Sequence, residues 1–263
     1  MGDSLSAWLA LREPADVAAR SSTLTHAIAG VLPPTLPLRI LDLGSGTGSN
    51  VRYLSPRLTA AQEWLLVDRD ADLLSQVPAG TTTCRIETLS RNLDTLDRAE
   101  IFAGRDLVTA SALLDLVSAR WLDTLAERCR ASGAAVLFAL TYNGESRCSP
   151  VEPEDDIIRN LMNRHQKRDK GLGGPAAGPD GVNCAERSFA AVGYLVRREA
   201  SDWKLSANQR ELQRQLIEGW AHAAVEIAPE QTSMIQSWLA RRLAHVEAGS
   251  STVIVGHEDL AAW

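Results

Sequence analysis

Apolar positions along the 263 residues follow two rhythms. Short, almost continuously apolar runs at 37–43 and 134–140, with shorter ones ending at Asp68 and opening at Asp106, have the composition of strands buried on both faces of a parallel sheet. Helical spacing separates them: at 5–31, 50–58, a short acid-capped helix at 70–76, a helix carrying Trp121, Leu122 and Leu125, and again at 154–168 and 185–192. Pro14 breaks the first of these and fits the first turn of a second helix, where its missing amide costs little. Residues 81–87 alternate and are rich in Thr, as an outer strand would be; 193–198 and 252–256 read as two more strands. Between those last two, 206–246 holds a pair of amphipathic helices broken at Pro229. One apolar stripe is Leu212, Leu216, Trp220 and Ala223, the other Ile235, Trp238, Leu239 and Val246. Strands alternating with helices predict an α/β chain built on a mostly parallel sheet.

The first strand runs into Gly44-Ser45-Gly46-Thr47-Gly48-Ser49-Asn50, where the helical pattern resumes. Three glycines at alternate positions let the backbone turn sharply and present bare amides at a helix N-terminus, a cradle of the kind that holds a nucleotide. A dinucleotide fingerprint requires its third glycine at position 49, which is Ser, and a P-loop requires a Lys that is absent. Two acids are in register instead. Asp42 lies two residues before Gly44, and Asp68 ends the second strand, where a carboxylate can accept both ribose hydroxyls.

This arrangement resembles motif I of the class I S-adenosylmethionine-dependent methyltransferases. The resemblance covers about residues 37–145 and implies a Rossmann-like class I methyltransferase fold: a seven-stranded, mostly parallel sheet, N-terminal helices over a pocket and an inserted helical pair before the last strand. It divides a single domain, 1–263, into an N-terminal helical cap (1–36), a cofactor-binding core (37–145), a substrate loop (149–183) and the helical insertion (206–248). The implied cofactor is S-adenosylmethionine, released as S-adenosylhomocysteine. Asp42 would lie near its amino group, Gly44, Ser45, Gly46 and Gly48 beneath it, and Asp68 with Arg69 at the ribose. Asn92 or Asp94 would meet the adenine, and Thr109, Ala110 and Ser111 would form a wall.

For the acceptor side the signals are weaker. Asp115 either reaches substrate or caps the following helix. Tyr142, past the fifth strand, either lines the pocket or packs there. Arg12, Asp16 and Arg20 either face substrate or are solvated charges on an amphipathic helix. His165 flanks five glycines and two prolines between 171 and 181, too many for a regular element, which suits a substrate loop. His222 and His257 are further candidate bases, the latter expected to end the last strand away from the parallel strands' carboxyl ends. A lone histidine is more often structural than catalytic.

Composition narrows the partners. A net charge of -6 gives no electrostatic reason to bind nucleic acid. Cys84, Cys129, Cys148 and Cys184 form no C-x-x-C pair, so neither zinc nor a disulfide framework is expected, and no clustered ligands suggest a divalent metal. With no basic leader and no apolar run near 18 residues, the expected location is the cytoplasm, away from membranes. Methyl transfer to a small molecule is the reading these features favour, with a homodimer compatible. Protein or RNA methylation, a regulatory protein that senses S-adenosylmethionine, and a nicotinamide enzyme are the rivals.

Overall fold

In the computed structural model, which describes residues 2–34, 37–58 and 61–263, the parallel strands are those of the apolar runs. They are β1 (Leu38–Leu43), β2 (Gln62–Asp68), β3 (Cys84–Ser90), β4 (Leu107–Ser111) and β5 (Ala135–Ser149). β6 (Val196–Ala200), β7 (Trp203–Leu205) and β8 (Thr252–Ala262) complete the sheet. The order is β3-β2-β1-β4-β5-β8-β6, with β7 also pairing β8, so the sheet has eight strands where seven were expected. Pairs among β1 to β5 are parallel, and the three made by β8 are antiparallel. Met1, Thr35 and Leu36 of the expected cap lie outside the described residues.

Successive side chains of a strand point to opposite faces, and here both faces are covered. Ile40, Trp64, Leu66, Leu107 and Leu137 pack with α2 (Ser22–Val31) and α3 (Ser49–Leu54). Leu41, Leu43, Val67, Val108 and Phe138 pack with α5 (Ala119–Ser132) and α7 (Gly181–Ala191). A third cluster joins α6 (Asp155–Gln166), α8 (Arg210–Ile227) and α9 (Thr232–Glu247) to the far half of β5 and to β8. The helical pair α8 and α9 stands before the last strand, as the periodicity predicts.

Several boundaries differ from expectation. Pro14 does not break the first helix: α1 runs from Gly2 to Ala19, and the break comes at Arg20, with Ser21 capping α2 through its side chain. The hydrogen bond lost at Pro14 is outweighed because α1 seats Ala15 in the third cluster, with Trp8, Leu11 and Ala19 against it. The first crossover helix is shorter than 50–58 and ends in a 3-10 turn, Ser55–Arg57. β3 begins three residues later than expected because Thr81 and Cys84 close a turn. The largest difference is β5, expected to stop at Leu140 but continuing to Ser149. Two register shifts interrupt its pairing with β8, and at the first of them Leu140 takes φ 58.

Candidate functional site

The neighbours of β1 are β2 and β4, so chain order reverses there, and ligands of such sheets bind outside the carboxyl ends at that switch. Gly44, Gly46 and Gly48 all have positive φ, and Gly48 is the N-cap of α3. A Cβ on Gly46 would lie 3.1 Å from Leu9 of α1, which rests on the loop. The Gly46 amide donates to Asp68 Oδ2 (2.8 Å), and Asp68 Oδ1 accepts from the Asp70 amide (3.0 Å). Ser45 Oγ donates to the Asp42 carbonyl (2.8 Å).

Asp42 is wholly buried. Its Oδ1 accepts from Asn50 Nδ2 (2.7 Å), while Oδ2 has no partner among the described residues. Burial raises its pKa to about 7; hydrogen bonds from Asn50 and Ser45 and the charge of Arg20 pull it down, and Asp68 pushes it up. Thr109, beside Asp42 in the β1–β4 register, accepts from Asn50 (2.9 Å) and donates to the Leu137 carbonyl (2.7 Å). Ala110 is buried and Ser111 half-buried at the end of β4.

Further along the edge, Arg69 lines an open recess of about 410 Å³ with Asp70, Ala71 and Asp72. Asn92 is exposed, its Oδ1 accepting the Asp94 amide, in a loop that Trp121 anchors by donating to the Leu93 carbonyl (2.6 Å). Both Asn92 and Asp94 line a recess of about 260 Å³ with Arg91 and Arg98.

On the other side of the switch, Asp115 is buried and does not cap α5; Ser118 does. Asp115 Oδ1 has no partner, and burial raises the carboxyl to about 6 against the pull of Arg12, Lys170 and the Tyr142 backbone. The glycine-rich segment folds against the chain just after β4: the Gly178 amide donates to the Asp115 carbonyl (3.1 Å) and the Ala177 amide to Val117 (2.7 Å). Tyr142 is buried, its hydroxyl donating to Asn163 Oδ1 (2.8 Å), and burial pushes its pKa up. His165 sits at the surface end of α6, 3.3 Å from Glu226 and 3.4 Å from Lys170 Nζ; partial burial and Lys170 lower its pKa.

His257 departs from its expected position. Because β5 continues past Leu140, β8 pairs with the continuation, and Tyr142 stands opposite His257. The imidazole is therefore level with the carboxyl ends of the parallel strands and mid-strand in β8. It packs against Tyr142 and Trp203 with ring centroids 6.3 and 5.1 Å apart, and its Nδ1 has no partner. Burial and Arg12 hold its pKa down at about 3. Arg12 and Asp16, expected either at substrate or in solvent, are ion-paired at 2.9 Å and largely buried, with Arg12 4.8 Å from the Trp203 ring and Asp16 accepting from its Nε1 (3.0 Å). Arg20 is also buried rather than solvated.

Sequence reasoning passed over Asn50, and Arg20, expected at substrate or in solvent, meets it instead. Asn50 stands where the glycine run becomes a helix, eight residues after Asp42 on the strand that the loop leaves, and an amide there can turn back to that carboxylate. For Arg20 the break expected at Pro14 hides its place: the helix break falls at residue 20, where the guanidinium meets Asn50. Among the described residues no group of three His, Cys, Asp or Glu could hold a metal ion, and no helix is long and apolar enough to cross a membrane. The four cysteines are unpaired.

By sequence, the chain matches no protein-family model and no curated protein. By structure, a putative type II methyltransferase from Anaeromyxobacter dehalogenans aligns over 92% of this chain and 95% of its own with a TM-score of 0.52 at 16% identity. A cyclopropane synthase from Mycobacterium tuberculosis aligns over 90% of this chain and 82% of its own (TM-score 0.47, 12% identity). A phosphoethanolamine N-methyltransferase from Haemonchus contortus, solved in complex with S-adenosyl-L-methionine, aligns over 92% of this chain and 52% of its own (TM-score 0.43, 14% identity). The strand order together with the first of these likenesses defines the fold: Rossmann-like, of the class I methyltransferase type.

Proposed function

We propose that the protein transfers the methyl group of S-adenosylmethionine to a small-molecule acceptor, with Asp115 taking the acceptor's proton. The observation that carries this reading is the orphaned Oδ2 of Asp42, a fully buried carboxylate oxygen lacking a partner beside a positive-φ glycine loop. A buried oxygen of that kind costs stability until a donor reaches it, and the cofactor's ammonium is such a donor. Asp68 fits as well: each carboxylate oxygen has two acceptor sites, so a ribose hydroxyl can join each backbone amide already bound. Residues at the adenine end are Asn92 or Asp94. Leu9 must lift from Gly46 as the cofactor enters.

Bound S-adenosylmethionine supplies a methyl already activated on a sulfonium, so the protein's tasks are alignment, exclusion of water and disposal of one proton. Asp115 suits the last. Its free oxygen faces no protein donor, and a pKa near 6 leaves it ionised at neutral pH yet basic enough to accept a proton. Asp115 Oδ1 would accept the acceptor's O–H or N–H proton, leaving the acceptor's lone pair to take a methyl that bound S-adenosylmethionine would supply, with the carbon–sulfur pair staying on the sulfur of S-adenosylhomocysteine. Tyr142 is a pocket wall in this scheme, its hydroxyl committed to Asn163, and His257 is a neutral imidazole whose free Nδ1 hydrogen-bonds the acceptor. His165, at the surface with Glu226, orders the entrance instead of taking the proton.

Asp115, Tyr142 and His257 are buried, with Arg12 of α1 acting on the first and last of them, and candidate groups so far from the surface favour a small-molecule acceptor over a protein or RNA chain. The test is a metabolite panel incubated with S-adenosylmethionine and scored for S-adenosylhomocysteine. Asp115→Asn is expected to lower turnover about 100-fold or more while binding cofactor as tightly as the parent. Unchanged turnover in that variant would contradict the assignment of the base.

A further inference from the structure

Asn50 is buried, and each polar atom of its side chain is engaged. Nδ2 donates to Asp42 Oδ1 and Thr109 Oγ1, and Oδ1 accepts from Arg20 Nη2. The neighbours admit only one orientation of this amide. The Thr109 hydrogen is spent on the Leu137 carbonyl, so its oxygen can only accept, and a guanidinium can only donate. Turning the amide over would set N–H against N–H and oxygen against oxygen. Arg20 in turn is held at the joint between α1 and α2, its guanidinium 4.2 Å from the Tyr53 ring and within the field of Asp259. The carboxylate of Asp259 accepts the Ser21 amide (2.8 Å) on that joint and the Leu140 amide (2.8 Å) on β5.

We propose that Asn50, locked by Arg20 and Thr109, is the positioning residue that engages one oxygen of Asp42 and so leaves a single oxygen, Oδ2, for the cofactor's ammonium. This rests on the reading of the site as one for S-adenosylmethionine. Without the amide, the Asp42 carboxylate is free to rotate and has lost a donor to its ionised form. The charged and polar groups facing Asp42 are then Ser45, Thr109, Arg20 and, from the end of β2, Asp68. Of these, Asp68 opposes ionisation, and burial opposes it more. The protonated form of Asp42 cannot attract an ammonium, so removing Asn50 raises the pH needed for capture.

The experiment is calorimetric titration of the full chain with S-adenosylhomocysteine between pH 6 and 8.5. The parent should lose about tenfold in affinity for each unit below pH 7, where Asp42 takes up a proton. Asn50→Leu, of similar volume, should move that midpoint up by about one unit and bind about fivefold more weakly at pH 7. Thr109→Val, a milder change that keeps the fold accessible if Asn50→Leu does not, should shift it in the same direction by less. Arg20→Lys, which keeps a cationic donor at the joint, should restore part of what Arg20→Met loses. An affinity reduced equally at all pH values in Asn50→Leu and Thr109→Val would reveal a merely structural role and overturn the proposal. Parent protein that binds at no pH would instead sink the cofactor reading, on which the proposal stands.

Discussion

Asp42 meets two demands that pull against each other. A carboxylate is needed to hold an ammonium, yet this one is buried to the point that its pKa stands at about 7, above the ordinary 3.8. An acid whose folded pKa is raised binds its proton more tightly in the native state, so the stabilisation is fully present below pH 3.8 and is lost as pH rises to 7. Above pH 7 the fold carries an ionised, half-satisfied carboxylate. Asp42→Asn is therefore expected to be more stable than the parent by about 4 kcal/mol at pH 8, with the difference nearly gone at pH 4, in urea unfolding. The same variant should bind S-adenosylhomocysteine at least about tenfold more weakly. Asp115 gives the second pH signature. Its base form is the working one, so kcat/KM should climb through an apparent pKa of about 6 and fall about tenfold per unit below it. A profile flat from pH 5 to 8 would remove Asp115 from the chemistry. At this scale the positions of the acids were legible, because strand ends and glycines mark them. The amide and guanidinium that orient Asp42 were not, because they meet it only through the folded chain.

Elements were legible where their pattern is local and lost where a neighbour decides. Apolar runs located β1, β2, β4 and the first half of β5 to within a residue or two. Pro14 misled because its cost is local, whereas the burial that keeps α1 whole comes from α8 and β7, about two hundred residues away. β5 misled for a similar reason: after Leu140 its residues turn polar, and only β8, arriving from the far end of the chain, pairs them into a strand. That misreading also displaced His257, since a residue opposite Tyr142 was assigned to the wrong end of the sheet. The helical pair has its own fastening. Arg242 of α9 is fully buried, bonded to Asp155 at the start of α6 and to the Pro150 carbonyl, and Trp238 Nε1 donates to the same Asp155 (2.8 Å). Removing one partner of a buried pair leaves the other uncompensated, which costs about 3–5 kcal/mol. Arg242→Ala should lose about 3 kcal/mol in urea unfolding, with S-adenosylhomocysteine affinity changed less than twofold in the folded fraction. Loss of cofactor affinity in protein that remains folded would mean that α9 reaches the site directly.

Across the molecule, α1 is the element that ties the site together. It meets α4 (Ala71–Leu74) at its end through Ser6 and Gln76, covers the glycine loop with Leu9, pairs Glu13 with Arg52 of α3 at 2.6 Å, and bonds Trp203 of β7 through Asp16. The joint at the end of α1 is bonded to the sheet through Asn50, which Arg20 meets, and through Asp259, which accepts the Ser21 amide. Strand order is that of the class I methyltransferase fold, and every role argued for Asp115, His257 and Asn50 depends on the proposal that the acids and glycines hold S-adenosylmethionine. Calorimetric titration of the parent protein with S-adenosylmethionine at pH 8 addresses it most directly. The account predicts saturable binding with one site per chain, shared by S-adenosylhomocysteine and lost with Asp42→Ala; a chain that binds neither sulfur ligand, or binds them equally well without Asp42, would contradict it.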